Sequence, residues 1–90
     1  MGFFDLFKKK NQAVGQVIHY FDKIQVAVVA LSSSLKIGDK IKVKRSSEEF
    51  EDMVGSMQIN HENVESAKKG EEVAIKLVKA TKAGALVYKV

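Results

Sequence analysis

Apolar and polar positions alternate in short runs along most of this chain, the period of strands rather than helices. Gly15 to Phe21 and Ile24 to Leu31 are rich in Val, Ile, Tyr and Phe, and Asp22-Lys23 between them predicts a hairpin. In the second run Ile24, Val26 and Val28 alternate with Gln25 and Ala27, so the first three are expected to share a buried face. Val29 and Leu31 shift the phase, which points to a bend or to burial on both sides. After the polar break Ser32-Ser33-Ser34, Leu35-Lys36-Ile37-Gly38-Asp39 makes a turn in which Gly38 supplies backbone freedom. Lys40 to Arg45 alternates cleanly, Ile41 and Val43 facing one way and Lys40, Lys42 and Lys44 the other. Ser46 to Glu49 is expected as a polar loop. Phe50 to Ile59 is the next strand. Met57 and Ile59 share a parity that Val54 breaks, and an extra residue at Gly55-Ser56 would return Val54 to the core.

Asn60 to Asn63 is a turn, and Val64 to Ala67 has the length of a single helical turn ended by Lys68-Lys69-Gly70. Val73, Ile75 and Leu77 form another strand, Thr81 to Gly84 another turn, and Leu86 to Val90 the last strand. The chain has no proline, so no segment is barred from pairing. Six strands with short connections predict an all-β domain, a closed antiparallel barrel spanning residues 13–90. Residues 1–12 differ from it. Phe3, Phe4, Leu6 and Phe7 precede Lys8-Lys9-Lys10, and on a helix Phe3 or Phe4 shares a face with Phe7. Such a tail suits a partner protein or an anionic membrane surface, although so few residues do not hold a free helix. Leu6 stands where an N-myristoylation signal needs Ser or Thr.

Composition narrows the class. Ninety residues, 46% of them hydrophobic, make one domain with a modest core. There is no cysteine, so disulfides and thiolate metal sites are excluded. The secretory layout and a membrane-length apolar run are both missing, and a cytoplasmic location is expected. The net charge of +4 is unevenly spread. Residues 48–72 hold eight acidic and two basic side chains, whereas residues 73–90 hold four lysines and no acid. A polarised surface of this kind steers anions to one side.

Candidate chemistry is sparse. The two histidines, His19 and His61, lie 42 positions apart. His19 falls in a strand expected to be half-buried and His61 in a polar turn, which gives no ligand spacing for a metal. No Gly-x-Ser-x-Gly elbow occurs, so the serines carry no hydrolase signature. No phosphate loop or dinucleotide fingerprint is present, so no nucleotide and no cofactor is expected. Glu48, Glu49, Glu51 and Asp52 read as solvated acids. The chain is therefore expected not to be an enzyme. Lys40, Lys42 and Lys44 repeat along one strand face at about 6.7 Å spacing, with Arg45 beside them, and form the candidate surface for RNA or another polyanion. The competing reading is an edge strand protected from aggregation, its lysines paired with Glu51 and Asp52.

The order of several motifs carries a resemblance. Gly15-Gln16-Val17-Ile18-His19-Tyr20-Phe21, the Ala27 to Leu31 strand, Leu35-Lys36-Ile37-Gly38-Asp39, Met57 after Val54-Gly55-Ser56, and Val64-x-x-Ala67-x-x-Gly70 resemble the second, β-barrel domain of elongation factor Tu. Ser56 to His61 with Val64-Glu65, and Gly84-x-x-Val87-Tyr88-Lys89-Val90, resemble two smaller groups still more. These are the stand-alone translation elongation factor-like proteins and the C-terminal barrel of collagenase-like peptidases. The resemblance covers about residues 13–90 and implies a closed six-stranded barrel of the translation-protein type. In the GTPases such a barrel docks on the GTPase domain and helps hold the aminoacyl end of tRNA. This sequence has no GTPase domain, so elongation-factor activity is not expected. The resemblance implies a non-catalytic binding module for RNA or for a translation or RNA-modifying protein, with a protein or membrane adaptor acting through Phe3, Phe4 and Phe7 as the alternative.

Overall fold

The structure, a computed structural model, describes residues 13–90. These fold into strands β1 (Ala13–Phe21), β2 (Val26–Leu31), β3 (Leu35–Lys36), β4 (Lys40–Arg45), β5 (Glu48–Met53), β6 (Met57–Ile59), β7 (Glu62–Asn63), β8 (Ser66–Ala67), β9 (Glu72–Lys76) and β10 (Leu86–Lys89). No helix occurs among the described residues, hence none able to cross a membrane.

Eight strands join in one antiparallel sheet of order β5-β4-β10-β1-β2-β9-β6-β7, and β3 pairs separately with β8. β5 and β6 lie far apart in that order, yet only Val54, Gly55 and Ser56 separate them in the chain. The segment expected as one strand from Phe50 to Ile59 is thus two: its first part pairs with β4 and its second with β9. The irregular step returns Val54 to the core, where it is buried. The loop expected at Ser46–Glu49 is shorter, because Glu48 and Glu49 already pair with Arg45 and Lys44.

Alternate residues of each strand face inward and join one cluster: Val17 from β1, Ala27, Val29 and Leu31 from β2, Ile41 and Val43 from β4, Met57, Val73, Ile75 and Val87 from the rest. No polar or charged residue is buried among the described residues. The inner face of β2 is the opposite of the one expected. Ala27, Val29 and Leu31 point in, and Val26 and Val28 are half-buried on the outside. The run cannot take Ile24 in phase because a four-residue turn, residues 22–25, links the pair Phe21 and Val26, with Gln25 at φ 57.

Two turns share one construction. In Lys36-Ile37-Gly38-Asp39 the Asp39 carboxylate accepts from Lys36 N at 3.0 Å, and Asp39 N donates to the Lys36 carbonyl. In Lys68-Lys69-Gly70-Glu71 the Glu71 carboxylate accepts from Lys68 N at 2.7 Å, and Glu71 N donates to the Lys68 carbonyl. Gly38 and Gly70 sit at φ 94 and 91, where a side chain is strained. Val64–Ala67 is not a helical turn. Its residues are held extended, Val64 N donating to the Met57 carbonyl and Ser66 and Ala67 pairing with β3.

Candidate functional site

Among the described residues the buried core is apolar and the ionisable side chains lie on the outer face. β4 aims its lysines outward because Ile41 and Val43 occupy the core parity. β5 runs alongside with Glu51 opposite Lys42 and Glu49 opposite Lys44. The ion pairs run diagonally, Lys40 to Glu51 at 3.7 Å and Lys42 to Glu49 at 3.6 Å. Both are long and solvent-exposed, worth about 0–1 kcal/mol each, but they lower the positive potential over that half of the row. Lys44 and Arg45 make no ion pair among the described residues. The structure therefore splits the expected cationic row: Lys40 and Lys42 are ion-paired, whereas Lys44 and Arg45 stand opposite Glu49 and Glu48 without an ion pair.

Asp52 does not join those pairs. Its position alternates with Glu49 and Glu51, so its carboxylate points the other way, accepting from Met53 N at 2.7 Å and Val78 N at 2.9 Å. This bond ties β5 to the segment after β9. The exposed Met53 and Val78 flank it, 60% and 66% accessible. Lys89 reaches Asp39 at 3.5 Å. His61 is explained by its turn. Asn60 and His61 both have positive φ, 53 and 68, in the two-residue link between β6 and β7, a geometry that Asn and His adopt more readily than most residues. Among the described residues no three His, Asp or Glu side chains gather as metal ligands, and His19 and His61 lie on different strands and turns. Phe3, Phe4 and Phe7 lie outside the described residues.

The sequence reading missed the outward aromatic residues of β1. The register against β2 shifts between Val17 and His19, making Ile18 the extra residue of a bulge. Without it, the parity of Val17 would carry His19 and Phe21 inward. With it, Tyr20 packs against the core and His19 and Phe21 face out. Their rings stack at 6.2 Å between centroids and 30° between planes. The Tyr20 hydroxyl is buried without a hydrogen-bond partner among the described residues. No pattern of residue types marks a bulge one position from a β-branched pair, so the period alone could not reveal this.

Comparison with known proteins places the fold first. It is that of the C-terminal domain of a Geobacillus thermoleovorans protein assigned to the U32 peptidases. One crystal structure of that domain superposes with TM-score 0.83 at 15% identity, covering 90% of this chain and 94% of that one. Its selenomethionine variant gives 0.81 at 16% identity, covering 88% and 100%. In sequence, the chain is 42% identical over 82 residues, 90% of its length, to an uncharacterized protease of Methanocaldococcus jannaschii. It spans only 20% of that relative. No family model matches the chain. These likenesses support the resemblance to a domain appended to peptidases.

Proposed function

We propose that this chain is a non-catalytic binding module, the counterpart of a peptidase's appended C-terminal domain, and that its outer surface contacts RNA. The observation that carries the reading is the match to a single fifth of a protease, by a fold that in its structural neighbours is a C-terminal domain. In this reading residues 13–90 form the module, residues 1–12 its tail, and the sheet, of eight strands rather than the six expected, a closed barrel. Closure is supported by the chain path, since β5 is one edge of the pairing order, β6 lies next to the other, and three residues join them. The Asp52 carboxylate on Val78 N bridges the same seam. Lys44 and Arg45, without an ion pair among the described residues, the acid-free stretch 73–90 and the resemblance to the translation-factor barrel support RNA as the ligand.

Fluorescence anisotropy with a single-stranded oligonucleotide tests this. Three or four phosphates engaged give a slope of log K against log salt of about −2 to −3, and Lys44→Gln with Arg45→Gln lowers the slope magnitude. A flat salt response or no binding at low salt contradicts the reading. A second reading, an adaptor for a peptidase-like or RNA-modifying protein, is favoured by the exposed Met53 and Val78 beside the Asp52 bridge. Loss of binding to a partner protein on Met53→Ser with Val78→Ser, or to a partner or vesicle on removal of residues 1–12, while RNA binding persists, supports that second reading.

A further inference from the structure

We infer that the outer face of β1, β2 and β9 is a stacking shelf for unpaired bases of single-stranded RNA, centred on Phe21 and His19. The inference rests on the RNA reading above and assigns the ligand's state and the site that reads it.

The shelf is built by register. His19 stands opposite Val28, and Val28 opposite Ala74; Phe21 stands opposite Val26, and Val26 opposite Lys76. Two rows thus cross three strands, each step about 4.8 Å, with the rows about 6.7 Å apart. The neighbours of the two rings are small or β-branched, which leaves a low platform around them. Phe21 is 51% accessible. An exposed aromatic pair is an unusual product of a strand whose other outward position is Gln16, and it exists because the Ile18 bulge re-aims it. Bulges are a recurrent means of directing side chains to functional surfaces.

The border of the shelf decides the occupant. Lys76 ends the Phe21 row, and Lys23 lies in the turn that follows Phe21. Lys82 sits in the turn beside Val17, where Gly84 N donates to the Val17 carbonyl and Ala85 N to the Lys82 carbonyl. All three are exposed. Asp22 in the turn after Phe21 and Glu72, opposite Ala30 on the same outer face, are the acids at the border, and the three lysines outnumber them. Aromatic faces with a cationic border are how single strands are held without sequence readout: bases stack on the rings and lysines track the phosphates. A duplex offers no free base face and cannot use the shelf.

The chain has no tryptophan, so Phe21→Trp introduces a single indole at the shelf, excited apart from Tyr20 and Tyr88. Oligouridine and oligoadenosine 12-mers are titrated against full-length wild type, Phe21→Trp and Phe21→Ala, with folding checked by circular dichroism. The inference expects quenching of the introduced indole fluorescence on binding, retained affinity in Phe21→Trp, and a loss of about 5- to 150-fold in Phe21→Ala. It also expects weaker binding of a duplex of the same length. Wild-type affinity in Phe21→Ala, with loss in Lys44→Gln/Arg45→Gln, overturns the shelf and keeps RNA as ligand. Equal affinity for duplex and single strand overturns it likewise. No RNA binding by wild type overturns both readings. A Phe21→Ala defect confined to binding of a protein partner reassigns the face to protein and overturns the inference.

Discussion

Gly15 tests the packing most sharply. It lies in the middle of the sheet, opposite Leu31 on β2 and Val87 on β10. A Cβ placed there would meet Val29 Cγ1 at 2.6 Å, the Ala30 carbonyl oxygen at 2.9 Å and Leu31 Cδ2 at 3.2 Å. Val29 is fully buried and stiff about χ1, and the Ala30 carbonyl belongs to the backbone of β2, so neither can swing aside. Relief requires β1 and β2 to part by several tenths of an ångström. Overpacking of that kind costs about 1–3 kcal/mol, against roughly 0.5–1 kcal/mol that alanine ordinarily gains over glycine within a strand. Gly15→Ala is therefore expected to destabilise by about 1–2 kcal/mol, despite the usual sign of the substitution. For a domain of this size that is a fall in Tm of roughly 5–15 °C. Thermal and urea unfolding followed by circular dichroism measure it, with Gly55→Ala as the control. At Gly55 a Cβ meets nothing within 4 Å, and a change between zero and a gain of about 1 kcal/mol is expected. An unchanged or raised Tm in Gly15→Ala would refute the close approach of β1 to β2.

Further outcomes follow from the same contacts. Tyr20→Phe removes a buried hydroxyl that has no partner among the described residues, so urea unfolding is expected to show equal or greater stability, by up to about 1–3 kcal/mol; a loss would show that the hydroxyl is satisfied. Asp52→Ala leaves Val78 N without its acceptor across the seam and is expected to cost about 1–3 kcal/mol, with faster amide exchange at Val78. A double-mutant cycle on Lys42 and Glu49 is expected to give a coupling below about 1 kcal/mol, falling with salt.

Much of the fold was legible because its core is aliphatic and its alternation regular. Ile41 and Val43, Val73 and Ile75, and the turns at Gly38 and Gly70 stand where period and turn chemistry place them. The misplaced phase of Val54 marked an irregularity near Gly55-Ser56, expected as a bulge, whereas the chain there leaves β4 for a new partner, β9. Other features were not, since they depend on pairing. The run from Ile24 to Leu31 is apolar at nearly every position, so its period could not say which face is buried. Pairing of β2 with β1 and β9 turned Ala27, Val29 and Leu31 inward. The short strands β3, β7 and β8 are two-residue bridges without a period of their own. At the surface, the lysine row was visible, but its neutralisation by Glu49 and Glu51 is set by the β4–β5 register. The outward turn of His19 and Phe21 depends on one extra residue in β1.

The most direct test of the account is an amide-resolved NMR titration of the full chain with a single-stranded oligouridine. The account predicts shift changes concentrated at residues 19–26, 74–76 and 82–86, extending to Lys44 and Arg45, with the core amides of Ile41 and Val73 unmoved. No shifts at low salt, or shifts gathered instead around Glu62 to Glu72, would contradict it.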